Sequence, residues 1–213
     1  MSYSVLPEHL TRGYSAFKGE RYARESQTYH KLAKEGQSPE TLVIACCDSR
    51  AAPEVIFDAM PGEIFVVRNV ANLVPPYDLS RSNCATSAAL EFAVQSLKVK
   101  HILVLGHSQC GGVKAALSPD FTALSLGDSI GNWVKLLRPA TEKVQGEKDL
   151  EVQERQTMLE RVAISHSLMN LRTFPYVHAL EAQGRLSLYG AWFDIATGTL
   201  WAMNTAGDFV QMR

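Results

Sequence analysis

The sequence predicts an α/β fold: a mostly parallel β-sheet with flanking helices, an antiparallel edge strand at the C-terminal end and an N-terminal helical arm. Three observations carry this expectation. Residues 42–46, 64–67 and 102–105 are short, continuous, mostly branched apolar runs, the pattern of strands buried on both faces. Helical stretches separate these runs, and strand alternating with helix implies a parallel sheet with right-handed crossovers. Two further strand-like segments, 186–194 and 199–204, flank a turn at 194–198 and so form a hairpin whose second strand is the antiparallel edge. No repeat, low-complexity tract or Pro/Gly-rich linker divides the 213 residues, which parse as one domain with an arm over 1–36 and an α/β core over 37–213.

Taken in order, the arm carries Phe17, Tyr22, Tyr29 and Leu32 among charges, as helical segments interrupted near Gly13 and Gly19 and ended by Gly36. A helix over 53–59 opens on a proline suited to a first turn, and one over 84–97 sets Leu90, Val94 and Leu97 on one side. Helices over 130–137 and 152–171 follow before the hairpin.

Composition excludes several classes of function. Twenty-one Lys plus Arg against twenty-two Asp plus Glu leave a net charge of −1, so no global positive field holds a nucleic acid or an anionic membrane. The longest apolar runs fall far short of the roughly 20 residues that span a bilayer. With neither a basic nor an apolar leader at the N-terminus, a cytoplasmic protein is expected. The first strand is followed by neither a G-x-G-x-x-G nor a P-loop pattern, which argues against nucleotide binding.

The chemistry gathers after the first and third apolar runs, at Cys46-Cys47-Asp48-Ser49-Arg50 and at His107-Ser108-Gln109-Cys110-Gly111-Gly112. In an open parallel sheet, ligands collect beyond the carboxyl ends of strands where strand order reverses, so if these strands are neighbours the two loops face each other. Two thiolates and one imidazole converging there make a Cys2His zinc site with its fourth position open to water, as catalytic zinc requires. Glycines after Cys110 let backbone approach closely and start a helix with free N–H groups. Taken singly, Cys46 equally fits a core position, and Asp48 with Arg50 a local salt bridge. Beside a metal-bound water, Asp48 can accept a hydrogen bond while Arg50 aims it. Cys47, pointing away from Cys46, is expected to be a buried thiol, and Cys84 a helix-face hydrophobe.

Cys46-x-Asp48-x-Arg50, followed by Gly106-His107-Ser108-x-Cys110-Gly111-Gly112, resembles the β-class carbonic anhydrases. The stretch Pro61-Gly62-Glu63-x-Phe65-Val66-Val67-Arg68-Asn69-Val70-Ala71-Asn72-Leu73-Val74 is similar to that family as well, and the likeness covers roughly residues 36 to 205. The resemblance implies one Zn²⁺ per subunit on Cys46, His107 and Cys110, and reversible hydration of carbon dioxide to bicarbonate and a proton. In the implied mechanism a zinc-bound hydroxide attacks, oriented by the Asp48–Arg50 dyad. It implies an apolar substrate pocket at Phe65, Val70 and Phe92, the last a tyrosine in many relatives, with donors from the Gly111 N–H and from Gln37 across a dimer interface. It also implies a homodimer clasped by the N-terminal helices, or a dimer of dimers. Relatives that close at low pH carry a tryptophan where this chain has Val43, so the constitutively open, plant-type form is expected. Hydrolysis of carbon disulfide or carbonyl sulfide on the same scaffold, or a non-enzymatic thiol or zinc protein, are the rival readings.

Overall fold

The computed structural model describes residues 6–80, 84–118, 122–147 and 149–213, and divides into two compact units, Met1–Ser38 and Pro39–Arg213. The first unit is a helix pair, α1 (Glu8–Gly19) and α2 (Arg21–Glu35). Gly13 does not interrupt α1, because a single interior glycine costs a helix only about 1 kcal/mol. The break falls at Glu20, and Gly36, at φ 84°, ends α2 as expected. Phe17, Tyr22 and Tyr29 pack their rings 5.2–5.9 Å apart between the two helices.

The second unit is a six-stranded sheet in the order β2-β1-β3-β4-β5-β6. Its strands are β1 (Thr41–Cys46), β2 (Ile64–Asn69), β3 (His101–His107), β4 (Ser187–Asp194), β5 (Thr199–Met203) and β6 (Phe209–Gln211). The first four are parallel and the last two antiparallel. The chain leaves β1 for β2 on one side and then returns for β3 on the other, so the strand order reverses between β1 and β3. Their carboxyl ends, Cys46 and His107, flank that switch point.

Two expectations are corrected. β2 is half-buried along its whole length, because it is the sheet's edge and lacks a neighbour on one side. The 199–204 strand is not the outermost: after a turn at Gly207, φ 93°, β6 pairs outside it. That turn is held by Asn204, whose side-chain oxygen accepts from the Ala206 and Asp208 amides.

The helices of this unit are α3 (Pro53–Ile56), α4 (Ala85–Glu91), α5 (Gly111–Leu117), α6 (Ser129–Val134), α7 (Arg138–Gln145), α8 (Val152–Leu171) and α9 (Pro175–Ala182). α3 is shorter than the 53–59 expected, since Asp58 turns to φ 46°; α4 runs on as a π segment, Phe92–Leu97, over the expected span. On one face of the sheet, Leu42, Ile44, Ile102 and Val104 pack against Leu90, Val94, Ile164 and Leu168. A smaller cluster of Val43, Ala45, Leu105 and Ala191 covers the other face.

α8 is the spine of the unit. A side-chain carbon on Gly106 of β3 would lie 2.8 Å from Ile164 Cδ1, so glycine there lets the helix lie close on the strand. Ile164 is fully buried at this crossing. Ile164→Ala is expected to destabilise the protein by about 2–5 kcal/mol, read as a lower denaturant midpoint at unchanged slope.

Candidate zinc centre

Cys46 is the last residue of β1, His107 the last of β3, and Cys110 the residue before α5. Their donor atoms all lie within 4.8 Å of one another, and the two sulfurs are 4.0 Å apart. Tetrahedral zinc with Zn–S bonds of about 2.3 Å holds its sulfurs roughly 3.8 Å apart, so the spacing fits the ion. The imidazole fits too. His107 Nδ1 stands 2.8 Å from the Ser108 carbonyl, which can only accept, so Nδ1 carries the proton. That leaves Nε2, buried and without a hydrogen-bond partner, as a free lone pair aimed at the sulfurs. A buried polar atom left unpaired is costly, and a metal satisfies it.

The surroundings suit thiolates. Cys46 and Cys110 sit in an apolar cluster with Ala71, Leu73, Val113, Leu137 and Leu159. The hydrogen bond to Cys110 draws the Cys46 thiol down to about 4, against burial. The same bond, with burial, pushes the Cys110 thiol far up. At neutral pH the metal-free pair therefore keeps one proton between the sulfurs. Burial pulls the His107 imidazole down, yet its contacts to Cys46 and to the Ser108 carbonyl outweigh this and leave it raised. Zinc must displace the Cys110 proton at any ordinary pH and, below the raised imidazole transition, the imidazolium proton as well. The logarithm of zinc affinity is expected to climb with about one unit of slope per pH unit above the imidazole transition and about two below it, measured by chelator competition across pH. A flat profile would contradict this.

Backbone geometry completes the cradle. Ala71 adopts left-handed angles, φ 64° and ψ 24°, and its N–H donates to Cys46 Sγ at 3.3 Å. The turn is closed by Asn69, whose amide donates to the Leu73 carbonyl and whose oxygen accepts from the Leu73 N–H, both at 2.8 Å. Gly112 faces it: a side-chain carbon there would meet Val70 Cγ1 at 2.6 Å and Ala71 Cβ at 3.0 Å, so only glycine lets α5 start against this turn.

Asp48 and Arg50 meet in a two-pronged pair, Arg50 Nε donating to Oδ1 at 2.9 Å and a terminal nitrogen to Oδ2 at 2.7 Å. The Arg50 amide donates to Oδ1 at 3.0 Å, and its guanidinium also reaches the Gln109 carbonyl, linking the two site loops. These bonds from Arg50 hold the Asp48 carboxyl well below the usual carboxylate range. Asp48 Oδ2 lies 3.9 Å from His107 Nε2.

The other expected residues separate into groups. Val70 lies beside Gly112, and Gly111 opens α5. Phe65 pairs with Leu42 while Asn69 pairs with Cys46, so Phe65 stands four residues down β2 from the centre, roughly 13 Å at about 3.3 Å per residue. Phe92 stacks on Phe65 with ring centroids 5.9 Å apart. Within one chain this pair is not gathered with the metal donors. Gln37 belongs to the first unit. Cys47 is exposed rather than buried, because β1 ends at Cys46 and its successor faces a cavity of about 860 Å³ shared with Arg68, Val70, Cys84 and Trp133. Cys84 is partly buried.

Sequence reasoning missed the residues that hold the loops. Arg68 donates to the Cys46 carbonyl at 2.8 Å and the Asp48 carbonyl at 2.7 Å. Ser108 donates to Asp194 at 3.2 Å and accepts from the Ile195 N–H at 2.9 Å. Glu160, buried on α8, accepts from the Cys110 N–H at 3.0 Å. A basic residue closing an otherwise apolar run, Arg68, is the clearest sequence signal among them.

No fourth His, Cys, Asp or Glu joins the three donors among the described residues, whereas structural zinc closes with a fourth Cys or His. A zinc enzyme's centre at the switch point of an α/β sheet is the class that this geometry defines. The profile of the carbonic anhydrase family matches residues 41–200. The chain is 38% identical over 201 residues to β carbonic anhydrase 3 of Arabidopsis thaliana, covering 92% of this chain and 77% of that one. It superposes on the structure of the β-carbonic anhydrase CcaA with a TM-score of 0.90 at 30% identity, over 97% and 92% of the two chains. A Coccomyxa β-carbonic anhydrase in complex with acetazolamide gives 0.81 at 30% identity, over 97% and 93%. One of two enzymes described as tetrameric from Sordaria macrospora gives 0.78 at 30% identity, over 96% and 98%. The chain belongs to the β-class carbonic anhydrases and is thereby a carbonate dehydratase, a zinc lyase.

Proposed function

We propose that this protein interconverts carbon dioxide and bicarbonate at a zinc held by Cys46, His107 and Cys110, with the Asp48–Arg50 pair as the dyad that aims the nucleophile. One observation carries the dyad: a carboxylate clamped by Arg50 stands 3.9 Å from the free nitrogen of His107. Zinc in such a centre supplies an acidified water, a nucleophile available near neutral pH.

The chain's own residues do the rest. Asp48, kept ionised by Arg50, can only accept, so it would accept a hydrogen bond from a water at the centre and so turn that oxygen's lone pair toward the substrate. Arg50 fixes the carboxylate and, through the Gln109 carbonyl, the distance between the two loops. The Gly111 N–H is available to an anionic product. Asp48 engaged with Arg50, and Val43 inside β1, favour the open form, in which the carboxylate stays off the metal. A zinc-loaded crystal at neutral pH with an Asp48 oxygen on the metal would contradict it.

The substrate wall is completed by self-association in this reading. Phe65 lies too far along β2 to line its own centre, and Phe92 packs against it from the π segment after α4, so the pair serves a second copy, as Gln37 does. Leu10 and Tyr14, more than half exposed on one side of α1, give the first unit an apolar face suited to a neighbouring subunit. A dimer or dimer of dimers follows.

The test is stopped-flow hydration with a pH indicator on zinc-loaded protein, with a chelator-treated sample beside it. Acceleration that disappears with the metal supports the reading. Zinc-loaded protein no faster than buffer overturns it.

A further inference from the structure

We propose that Glu160 is the positioning residue of the Cys110 ligand, a buried carboxylate that fixes the start of α5 and so sets how tightly and in what geometry the centre holds its metal. The proposal rests on the reading of Cys46, His107 and Cys110 as the zinc ligands. Glu160 is 2% exposed on the inner face of α8. Its Oε1 accepts from the Cys110 N–H and from Gln156 Nε2, both at 3.0 Å, and its Oε2 accepts from Trp192 Nε1 at 3.1 Å. Gln156, also buried, reaches the Cys110 carbonyl at 3.5 Å, so Cys110 is held on both sides of its Cα.

The three donors come from three elements. Cys110 precedes α5, Gln156 lies one turn before Glu160 on α8, and Trp192 lies on β4 opposite Gly106, the residue before His107. One carboxylate thereby ties the loop of the second sulfur to the strand paired with the one bearing the imidazole. A packing role alone does not account for it, because burying a carboxylate is expensive unless its oxygens are used, and an apolar side chain fills the same space at lower cost. All three contacts are donors, and a carboxylate is the one side chain of this length that accepts from all of them.

Glu160→Gln keeps the shape but turns an NH₂ group on donors, so at least one of the three bonds is lost. Its zinc affinity, read by competition with a chromophoric chelator, is expected to fall about 10–100-fold. The visible d–d absorption of its cobalt(II)-substituted form shifts as well, while circular dichroism still reports a folded protein. Trp192→Phe removes a single donor, leaves the Cys110 contact and lowers affinity less; it carries the test should Glu160→Gln fail to fold. Wild-type affinity with an unaltered cobalt spectrum, in Glu160→Gln or, failing that, in Trp192→Phe, overturns the proposal. Cys110→Ser holding zinc at wild-type affinity instead overturns the ligand set on which it rests. Asp48→Asn, measured alongside, should keep both metal readouts; normal turnover in that variant sinks the dyad and leaves the Glu160 result standing.

Discussion

His107→Ala yields a folded protein that neither retains zinc nor hydrates carbon dioxide faster than buffer. The imidazole contributes one of three donors, and its loss leaves two sulfurs that share a proton in place of a completed centre. The fall in affinity exceeds the about 10–100-fold that removing a ligand's hydrogen-bond partner costs. The fold survives because its burial lies elsewhere, in Leu42, Ile44, Ile102 and Val104 against Ile164 and Leu168. Metal analysis after gel filtration, a melting curve and the indicator assay on one sample check all three parts. Zinc retained at one equivalent with native activity would remove His107 from the centre.

Asp48→Asn separates holding the metal from using it. Asparagine is nearly isosteric but places an NH₂ group beside the Arg50 donors, so the clamp opens and the fixed acceptor for the nucleophile's proton is lost. Zinc content should match the native protein, because Asp48 is not among the three donors. Turnover should drop about 10²–10⁴-fold, the span typical of losing a positioned proton-handling group. Since Arg50 depresses the Asp48 carboxyl, the clamp's contribution to stability is present above the unfolded value near 3.9 and fades as pH falls toward the depressed folded one. The native protein should therefore lose more stability than Asp48→Asn on acidification below pH 4.

The centre was legible because its donors stand at strand ends, where apolar runs stop and soft or charged side chains begin. Cys46, His107 and Cys110 needed only that β1 and β3 be neighbours, a condition that buried runs separated by helices leave open and the sheet order meets. What governed the misses was context distant in sequence. β2 reads like a central strand locally, and only the sheet order makes it an edge. Cys47 follows strand alternation correctly, but β1 ends one residue earlier and leaves it exposed. Glu160 looks like any helix glutamate. Its burial depends on Trp192 and Cys110, and the faint clue was that Gln156, Glu160, Ser167 and Asn170 fall among the apolar positions of α8's inner face. Ser167 and Asn170 serve the neighbouring turn, binding the Asn72 and Val74 backbone.

Because Cys46 stands at the end of β1 while His107 and Cys110 stand at and just beyond the end of β3, no short peptide holds all three together before those strands have paired. During synthesis Cys46 leaves the ribosome well ahead of His107, and β3 gains its second partner only when Ser187 reaches His101. Such distant pairings form late in folding. Metallation therefore follows assembly in this chain, the reverse of a zinc finger in which the ion organises the peptide.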